Sequence, residues 1–265
     1  MKISRLPDRL LSFEIMCYKM EFSSKLIEAL KSAQTCLILT GAGVSAESGL
    51  QTFRGMQGLW DDFDPMKLAT PEAFACEPQK VWEWYQWRRE KLPLVQPNPA
   101  HKAIAQMEKH FEEFLLVTQN IDGLHQRAGS SKMVELHGNL NRNKCSRCGT
   151  MIETLPVSDQ VPPRCKCGGR IRPDVVWFGE MLPEAVLRQA WRAAEKADIF
   201  FSVGTSSVVQ PAASLGLVAK NNGAALVEVN LERTELSPLF NDVFLGPAGE
   251  IMPRMLEGII NARAL

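Results

Sequence analysis

The stretch CLILTGAGVSAESG, Cys36 to Gly49, decides the fold class of this chain. Its first five residues are apolar or β-branched, which is typical of a strand buried on both faces of a parallel sheet. The glycines that follow, with Ala46 completing a G-x-G-x-x-A pattern, predict a turn at which backbone N–H groups face a phosphate. The motif is weak alone, because a purely structural turn has the same glycines.

Three more apolar runs of this kind follow, at Phe114–Thr118, Asp198–Val203 and Ala225–Asn230. Segments with helical periodicity lie before and between them, at Ser24–Ser32, Ala100–His110, Pro183–Lys196 and Pro211–Asn221. This alternation predicts an α/β fold with a doubly wound, Rossmann-like parallel sheet. Such sheets bind ligands at the carboxyl ends of their strands.

The bulk composition is that of a globular protein without a strong electric field. The chain has 265 residues, 45% of them hydrophobic, and its 30 Lys and Arg balance 30 Asp and Glu. This balance argues against nucleic acid or a membrane surface as a partner. No apolar run is long enough to span a bilayer, so we expect a cytoplasmic protein. Residues 1–21 are expected to form an N-terminal extension, because no cleavage site follows their basic and apolar residues.

Two segments interrupt the alternation of strands and helices. Residues 55–98 are rich in Pro and Trp with helical patches, and residues 141–172 contain four clustered cysteines and little apolar content. We therefore predict one sheet domain formed by residues 22–140 and 173–265. The segment 55–98 is a helical excursion from it, and 141–172 is a small inserted module.

The four clustered cysteines predict a metal site. Cys145 and Cys148 form one pair, and Cys165 and Cys167 form another sixteen residues further on. Two thiolate pairs flanked by glycines suit a tetrahedral zinc ion, and four cysteine ligands leave no open position for catalysis. The surrounding Arg and Lys residues also fit a zinc ribbon that binds nucleic acid. We regard that as the lesser alternative, since few aromatic residues lie among them.

The stretch VWEWYQWRREKL, Val81 to Leu92, has two interpretations. Tyr85 and Arg88 lie three residues apart, so they share one face of a predicted helix. Either the arginine stem packs over aromatic rings, or the pair lines a binding pocket. The stretch alone does not decide between them.

Polar residues follow several predicted strands, and they are expected to meet in one crevice. His137 follows the run MVEL and precedes a glycine, and imidazole titrates near neutral pH, so it is the candidate general base. His101 and His110 fall on a predicted surface helix, and we expect them to be solvated. The other residues at these strand ends are Gln119, Asn120, Asp122, Gly204, Thr205, Ser206, Asn230, Leu231 and Glu232, most of them polar.

Taken together, these motifs resemble the sirtuins, which remove acyl groups from protein lysines while consuming NAD. The resemblance covers residues 22–255 and rests on GAGVSAESG, TFRG, TQNIDGLH, ELHG, the four cysteines, VVWFGE, VGTSSVVQPAA and VEVNLE, in this order. Gln51 departs from the proline that usually precedes TFRG. The family implies NAD as co-substrate and one structural zinc ion held by the four cysteines.

The resemblance also implies the role of each site residue. His137 would be the general base that lets a ribose hydroxyl attack the alkylated amide, giving lysine, nicotinamide and O-acyl-ADP-ribose. A flap containing Phe53, Arg54 and Trp60 would cover the nucleotide. The remaining NAD contacts would be Gly41, Ala42, Gly43, Ser45, Gln119, Asn120, Asp122, Gly204, Thr205, Ser206, Asn230, Leu231, Glu232 and Ala248.

The substrate side of the resemblance is an acylated lysine in a protein or peptide. Val176, Trp177 and Phe178 would form an edge to which the peptide adds as a strand. Tyr85 and Arg88 match a subgroup, the desuccinylase and demalonylase type, in which this pair binds the far carboxylate of the acyl group. The alternatives are a plain deacetylase, an ADP-ribosyltransferase using the same NAD pocket, and the nucleic-acid-binding zinc ribbon. The oligomeric state is not implied.

Overall fold

A parallel six-stranded sheet forms the centre of the computed structural model, which describes residues 22–52 and 62–264. The spatial order of its strands, numbered along the whole chain, is β3-β2-β1-β7-β8-β9. This is the doubly wound order, with its switch point between β1 and β7, where ligands bind. The strands of this sheet are β1 (Thr35–Thr40), β2 (Glu113–Thr118), β3 (Met133–Glu135), β7 (Ile199–Val203), β8 (Ala225–Asn230) and β9 (Asp242–Leu245).

Helices cover both faces of this sheet. One face packs against α1 (Ser24–Ser32), α6 (Pro99–Met107) and α10 (Ala248–Arg263), and the other packs against α8 (Glu184–Lys196) and α9 (Ser214–Asn221). Alternate residues of β1 divide between the two cores: Ile38 joins the first, and Leu37 and Leu39 join the second. A strand buried on both faces has to be apolar throughout, which is why its sequence is recognisable.

A second, antiparallel sheet contains the cysteines. Its strands are β4 (Gly138–Cys145), β5 (Met151–Ile152) and β6 (Ile171–Val175), in the order β5-β4-β6. Strand β4 starts three residues after β3 ends, so the chain passes from the large sheet to the small one at Leu136 and His137.

The excursion between β1 and β2 contains short helices with clear start signals. They are α3 (Pro65–Leu68), α4 (Pro71–Cys76) and α5 (Pro78–Lys91), followed by a 3-10 turn at Leu92–Leu94. Each helix has proline in its first turn, where no N–H is needed, and side chains of Asp64 and Thr70 cap the first two. The two remaining helices, α2 (Gly43–Ala46) and α7 (Leu124–Arg127), are single turns beside the site. None of the helices in the described ranges has the length and apolarity that crossing a membrane requires.

The predicted fold class is confirmed, and two details differ from expectation. All four predicted strands are present, but β9 was not predicted, because it is a half-exposed edge strand of four residues without an apolar run. The expectation for His101 was wrong: its side chain is 0% exposed, because α6 lies against both the sheet and α10. His110 lies beyond the end of α6 and is half-buried.

Candidate active site

Two glycine turns meet at the switch point of the large sheet. The N–H groups of Gly41 and Gly43 donate to the carbonyls of Val203 (3.1 Å) and Gly204 (2.8 Å). Gly204 has a φ of +60°, and a Cβ there would lie 2.4 Å from the nitrogen of Val44. The glycines therefore allow the turns after β1 and β7 to touch. The N–H groups of Gly41 and Gly43 are thus engaged within the chain, so these two do not face a phosphate as the sequence pattern suggested.

Predicted cofactor residues converge around Ser45 in a buried polar network. The Ser45 hydroxyl donates to Asp122 Oδ2 (2.8 Å) and accepts from Asn120 Nδ2 (3.1 Å). The Asn120 amide also donates to the Gly41 carbonyl (3.0 Å), and Asp122 Oδ1 accepts from the N–H of Leu124 (2.8 Å). Burial raises the pKa of Asp122, although these hydrogen bonds oppose the shift. The network fixes three side chains at the ends of β1 and β2.

A pair of histidines lies directly beneath this network, and sequence reasoning did not assign it to the site. His101 Nε2 is 3.3 Å from Ser45 Oγ, and the rings of His101 and His125 are 4.7 Å apart. His125 Nε2 is 3.0 Å from Thr40 Oγ1. Burial lowers the pKa of both, to about 4 for His101, so both are neutral at pH 7. The one sequence signal was Asn98, which caps α6 and shares a capping box with His101.

His137 is held at the junction between the two sheets. Its Nδ1 lies 3.0 Å from the carbonyl oxygen of Gln119. A carbonyl only accepts, so Nδ1 carries the hydrogen and Nε2 keeps its lone pair. Burial lowers the pKa of His137, although the hydrogen bond to Gln119 opposes the shift. The ring is therefore neutral at pH 7, with one nitrogen ready to accept a proton.

The predicted NAD contacts that follow β7 and β8 gather around Thr205. Its hydroxyl accepts from Gln119 Nε2 (3.0 Å), and its carbonyl accepts from Asn230 Nδ2 (3.0 Å). Thr205 is buried, whereas Ser206, Leu231 and Glu232 are exposed at the rim. The structure thus brings the ends of β2, β7 and β8 together, as the sequence predicted.

Ala248 lies at the first turn of α10, next to the glycine turn after β1. It is buried, and the N–H of the following Gly249 donates to Glu47 Oε1 (2.8 Å). The negative charge of the Glu47 carboxylate is also stabilised by the positive end of the α10 helix dipole. Sequence reasoning missed Glu47, whose partner lies 202 residues further along the chain.

A cavity of about 330 Å³ opens beside this network. Four predicted NAD contacts line it together with the predicted acyl-binding Arg88, so both sets share one space: Ala42, Ser45, Asn120 and Asp122. Arg88 is half-buried, its guanidinium lies 5.0 Å from the ring centre of Trp84, and burial lowers its pKa. Sequence reasoning missed several apolar and basic residues of the wall, for which no local motif exists: Leu50, Trp87, Lys91, Leu92, Leu94, Val95 and Leu140.

Tyr85 lies one layer behind Arg88 rather than on the cavity wall. Its side chain is 2% exposed, and its oxygen accepts a hydrogen bond from Trp177 Nε1 (2.9 Å). Burial raises the pKa of Tyr85 to about 12, so it stays a neutral phenol. The two interpretations of this helix each hold in part: Tyr85 belongs to an aromatic core, and Arg88 faces the cavity.

The predicted peptide edge, Val176 to Phe178, is partly occupied by the chain itself. The N–H of Val176 donates to the carbonyl of His137 (2.9 Å), and the N–H of Phe178 donates to the carbonyl of Ala69 (2.9 Å). Trp177 is buried, whereas Phe178 is 39% exposed. Among the described residues, no hydrogen bond reaches the Val176 carbonyl, which leaves that acceptor for an added strand.

The four cysteines converge in the small sheet. Their sulfur atoms all lie within 4.8 Å of one another, with 3.4 Å between Cys145 and Cys167 and 3.9 Å between Cys148 and Cys165. Zinc–sulfur bonds of about 2.3 Å in a tetrahedron require sulfur separations of about 3.8 Å. The cluster therefore fits a structural zinc ion, as predicted.

The flap residues Phe53, Arg54 and Trp60, like residues 1–21, lie outside the described residues.

Comparison with known proteins agrees with this geometry. The chain is 48% identical over 233 residues to NAD-dependent protein deacylase 2 of Pyrobaculum aerophilum. The matched region covers 88% of this chain and 94% of the relative. It is 54% identical over 215 residues to the NAD-dependent protein deacylase of Thermus thermophilus, covering 79% and 84%.

Solved structures are similar over most of their length. The crystal structure of a Sir2 homolog–NAD complex superposes with a TM-score of 0.83 at 46% identity, covering 92% of this chain and 96% of that one. A Sir2–p53 peptide–NAD+ complex gives a TM-score of 0.76 at 33% identity, covering 88% and 97%. Residues 41–211, more than half of the sequence, match the Sir2 family profile, and with these relatives the match establishes that the chain belongs to the Sir2 family.

Proposed function

We propose that this protein is an NAD-dependent protein-lysine deacylase that prefers acidic acyl groups, malonyl and succinyl, over acetyl. NAD-dependent deacylation follows from membership of the Sir2 family and from relatives named for that activity. The preference is carried by one observation: the guanidinium of Arg88 lines the same cavity as Asn120 and Asp122. A lysine acyl chain that reaches the cofactor residues would have its far end beside a permanent cation.

The cofactor half of the crevice is expected to bind NAD across the switch point of the sheet. Asn120 and Asp122 are held beside the cavity, and Thr205 and Asn230 lie toward the exposed rim. This arrangement follows the rule that open α/β sheets bind ligands where the strand order reverses. When bound, NAD supplies the acceptor for the acyl group, and nicotinamide is released.

The proton chemistry falls to His137. Its Nδ1 hydrogen is committed to the Gln119 carbonyl, so Nε2 is the basic atom. The lowered pKa keeps the ring unprotonated at pH 7, which a general base requires. The neighbouring carbonyl also fixes the ring orientation. We assign His137 the removal of a proton from a ribose hydroxyl during acyl transfer.

The proposed acyl end of the cavity carries the Arg88 cation in its wall, with the buried Tyr85 phenol one layer behind. Burial disfavours the charge on Arg88, and a carboxylate in contact with it would restore a favourable environment. A guanidinium binds a carboxylate through two parallel charge-assisted hydrogen bonds, which an acetyl methyl group does not replace. An acidic acyl group is therefore expected to gain binding energy that acetyl lacks.

The lysine substrate is expected to enter along Val176 to Phe178. The carbonyl of Val176, to which none of the described residues donates, and the exposed ring of Phe178 suit an extended peptide added through its main chain. Main-chain pairing explains how one site accepts different protein sequences. The Sir2–p53 peptide complex is a relative with a bound peptide, and it supports this assignment by analogy.

The test uses one peptide sequence with acetyl-, malonyl- or succinyl-lysine, and measures kcat/KM for NAD-dependent release of nicotinamide. We expect the wild type to favour the acidic groups and Arg88→Met to lower the succinyl-to-acetyl ratio at least tenfold. A hydrogen bond to a charged group is worth about 1.5–3 kcal/mol, and 1.4 kcal/mol is a factor of ten.

The matched control is Arg89→Met, the next residue of the same helix. Arg89 points toward the small sheet, where it donates to the carbonyl of Arg142 (3.0 Å), so its loss should leave the ratio unchanged. Equal or faster turnover of acetyl-lysine, insensitive to Arg88→Met, would reduce the function to a plain deacetylase. Transfer of ADP-ribose to protein without loss of acyl groups would instead identify an ADP-ribosyltransferase.

A further inference from the structure

Two side chains on either side of His137 are hydrogen-bonded to each other. Glu135 ends β3, two residues before His137, and Asn139 lies in β4, two residues after it. Asn139 Nδ2 donates to Glu135 Oε1 (2.6 Å), so a single hydrogen bond closes across residues 136–138. The side chain of Glu135 is 10% exposed and Asn139 is 6% exposed. This contact, the Glu135–Asn139 bridge, is therefore largely shielded from water.

The Glu135 carboxylate is anchored by two more elements. Its Oε1 also accepts from Gln126 Nε2 of α7 (2.5 Å), and its Oε2 accepts from Arg142 Nη1 of β4 (2.6 Å). A carboxylate only accepts hydrogen bonds, and these donors together with Asn139 engage both of its oxygens. One side chain thus ties β3, β4 and α7 together where the chain passes from the large sheet to the small one.

The backbone next to His137 needs such support. Gly138 has a φ of +79°, and a Cβ there would lie 2.0 Å from the carbonyl oxygen of Asp174. Only glycine fits this close approach, and glycine is also the residue whose own backbone restricts its conformation least. The direction in which β4 leaves His137 therefore depends on contacts made by the neighbouring residues.

The position of the His137 ring follows from this backbone. Its Nδ1 lies 3.0 Å from the Gln119 carbonyl oxygen, and this hydrogen bond determines where Nε2 points. A shift of residues 136–138 would lengthen the bond and turn Nε2. A misplacement of about 1 Å in a reacting group can slow a reaction about a hundredfold.

We propose that Glu135 is a positioning residue for His137. By bonding to Asn139 it holds the segment that carries the imidazole, so that Nε2 faces the crevice. The inference rests on the proposed function, because it requires His137 to act as the base. It assigns a role in the reaction to a carboxylate that contacts neither the predicted NAD residues nor the cysteine cluster through the hydrogen bonds described above.

The experiment compares the wild type, Glu135→Ala and Glu135→Gln with one acyl-lysine peptide, the one that the wild type cleaves fastest. We expect Glu135→Ala to lower the single-turnover rate about tenfold, while KM for NAD and for the peptide changes less than about twofold. Glu135→Gln keeps an acceptor oxygen for Asn139 and loses the charge that pairs with Arg142. Its rate should stay within about threefold of the wild type.

Asp174→Ala is the matched control for loss of a carboxylate. Asp174 belongs to the same chain of ion pairs, through Arg142 Nε (3.0 Å) and Lys144 Nζ (3.3 Å), but neither partner is adjacent to the 136–138 segment. We expect this variant to keep the wild-type single-turnover rate. Unfolding midpoints of both alanine variants show how much stability each loses.

A second variant removes the bridge from its other end. Asn139→Ala should slow single turnover as Glu135→Ala does, and the double variant should be no slower than the slower single one, because both changes remove the same contact. If Glu135→Ala does not accumulate as folded protein, the comparison of Asn139→Ala with Asp174→Ala tests the same bridge.

The outcomes separate the inference from the function beneath it. A slower rate shared by Glu135→Ala and Asn139→Ala, and rescued by Glu135→Gln, supports the positioning role. An unchanged rate in Glu135→Ala, an equal loss in Asp174→Ala, or a loss confined to KM overturns it and leaves Glu135 a structural ion-pair residue, while the inactivity expected of His137→Tyr would still support the proposed base. Retained turnover in His137→Tyr overturns the proposed base and the inference together.

Discussion

Replacing His101 by glutamine is expected to remove a specific part of the acid sensitivity of this protein. Burial lowers the pKa of His101 from 6.5 to about 4. Its folded pKa therefore lies below its unfolded pKa, so the folded state binds fewer protons. The resulting stability is present above pH 6.5 and is lost as the pH falls toward 4.

The magnitude follows from these two pKa values. A single histidine with a pKa of 6.5 in the unfolded state and about 4 in the folded state lowers the free energy of unfolding as the pH falls. Between pH 7 and pH 5 this decrease is about 1.8 kcal/mol. That is a large part of the stability of an ordinary domain. Other groups titrate in the same range, so the comparison has to be between the wild type and a variant that lacks only this imidazole.

The assay is urea unfolding of wild type and His101→Gln at pH 7 and pH 5, with zinc present throughout. The variant will be less stable at pH 7, because the imidazole contacts Ser45 and Asn98. The decisive quantity is the change with pH, which should be about 1.8 kcal/mol smaller for the variant. An identical change in both proteins would refute the reasoning, since it would mean that His101 is readily protonated in the fold.

Three further predictions address the turns, the base and the metal. Gly204→Ala should cost more stability than Gly223→Ala and should weaken NAD binding in calorimetry. The Cβ of an alanine at 204 would lie 2.4 Å from the nitrogen of Val44, whereas a Cβ at 223 meets nothing within 4 Å. Both glycines have positive φ, so equal losses of stability would exclude the contact between turns as the cause. His137→Tyr should abolish deacylation while NAD still binds, and retained turnover would remove His137 from the role of base. Purified protein should contain one zinc ion per chain and a chelator should lower its unfolding midpoint, whereas a metal-free protein with an unchanged midpoint would contradict a structural zinc site.

The fold could be predicted from the sequence where burial is two-sided. Strand β1 has five consecutive buried residues, so the apolar run CLILT identifies it without further context. Strand β9 has none that is fully buried, because it forms the edge of the sheet, and its residues carry no comparable pattern. A strand buried on both faces is therefore easier to predict from local sequence than a half-exposed edge strand.

Parts of the site depend on contacts that no local pattern contains. His101 lies beside the buried stripe of α6, and only the packing of that helix decides whether it faces the core or the solvent. The hydrogen bond between Tyr85 and Trp177 joins residues 92 positions apart. Sequence could propose that Tyr85 and Arg88 act together, but not that one forms part of the wall and the other stands behind it.

Strand β4 links the cysteine cluster to His137, although the two share no direct contact. It begins immediately after His137 and ends at Cys145, so one strand of eight residues joins the proposed general base to one of the four cysteines that fit a zinc ion. At about 3.4 Å per residue, the two lie more than 20 Å apart along the strand. If zinc is bound there, its loss would release the far end of β4 and loosen the anchorage of the imidazole that we propose as the base. A compound that strips the metal would then act as a remote inhibitor, reducing turnover without entering the crevice.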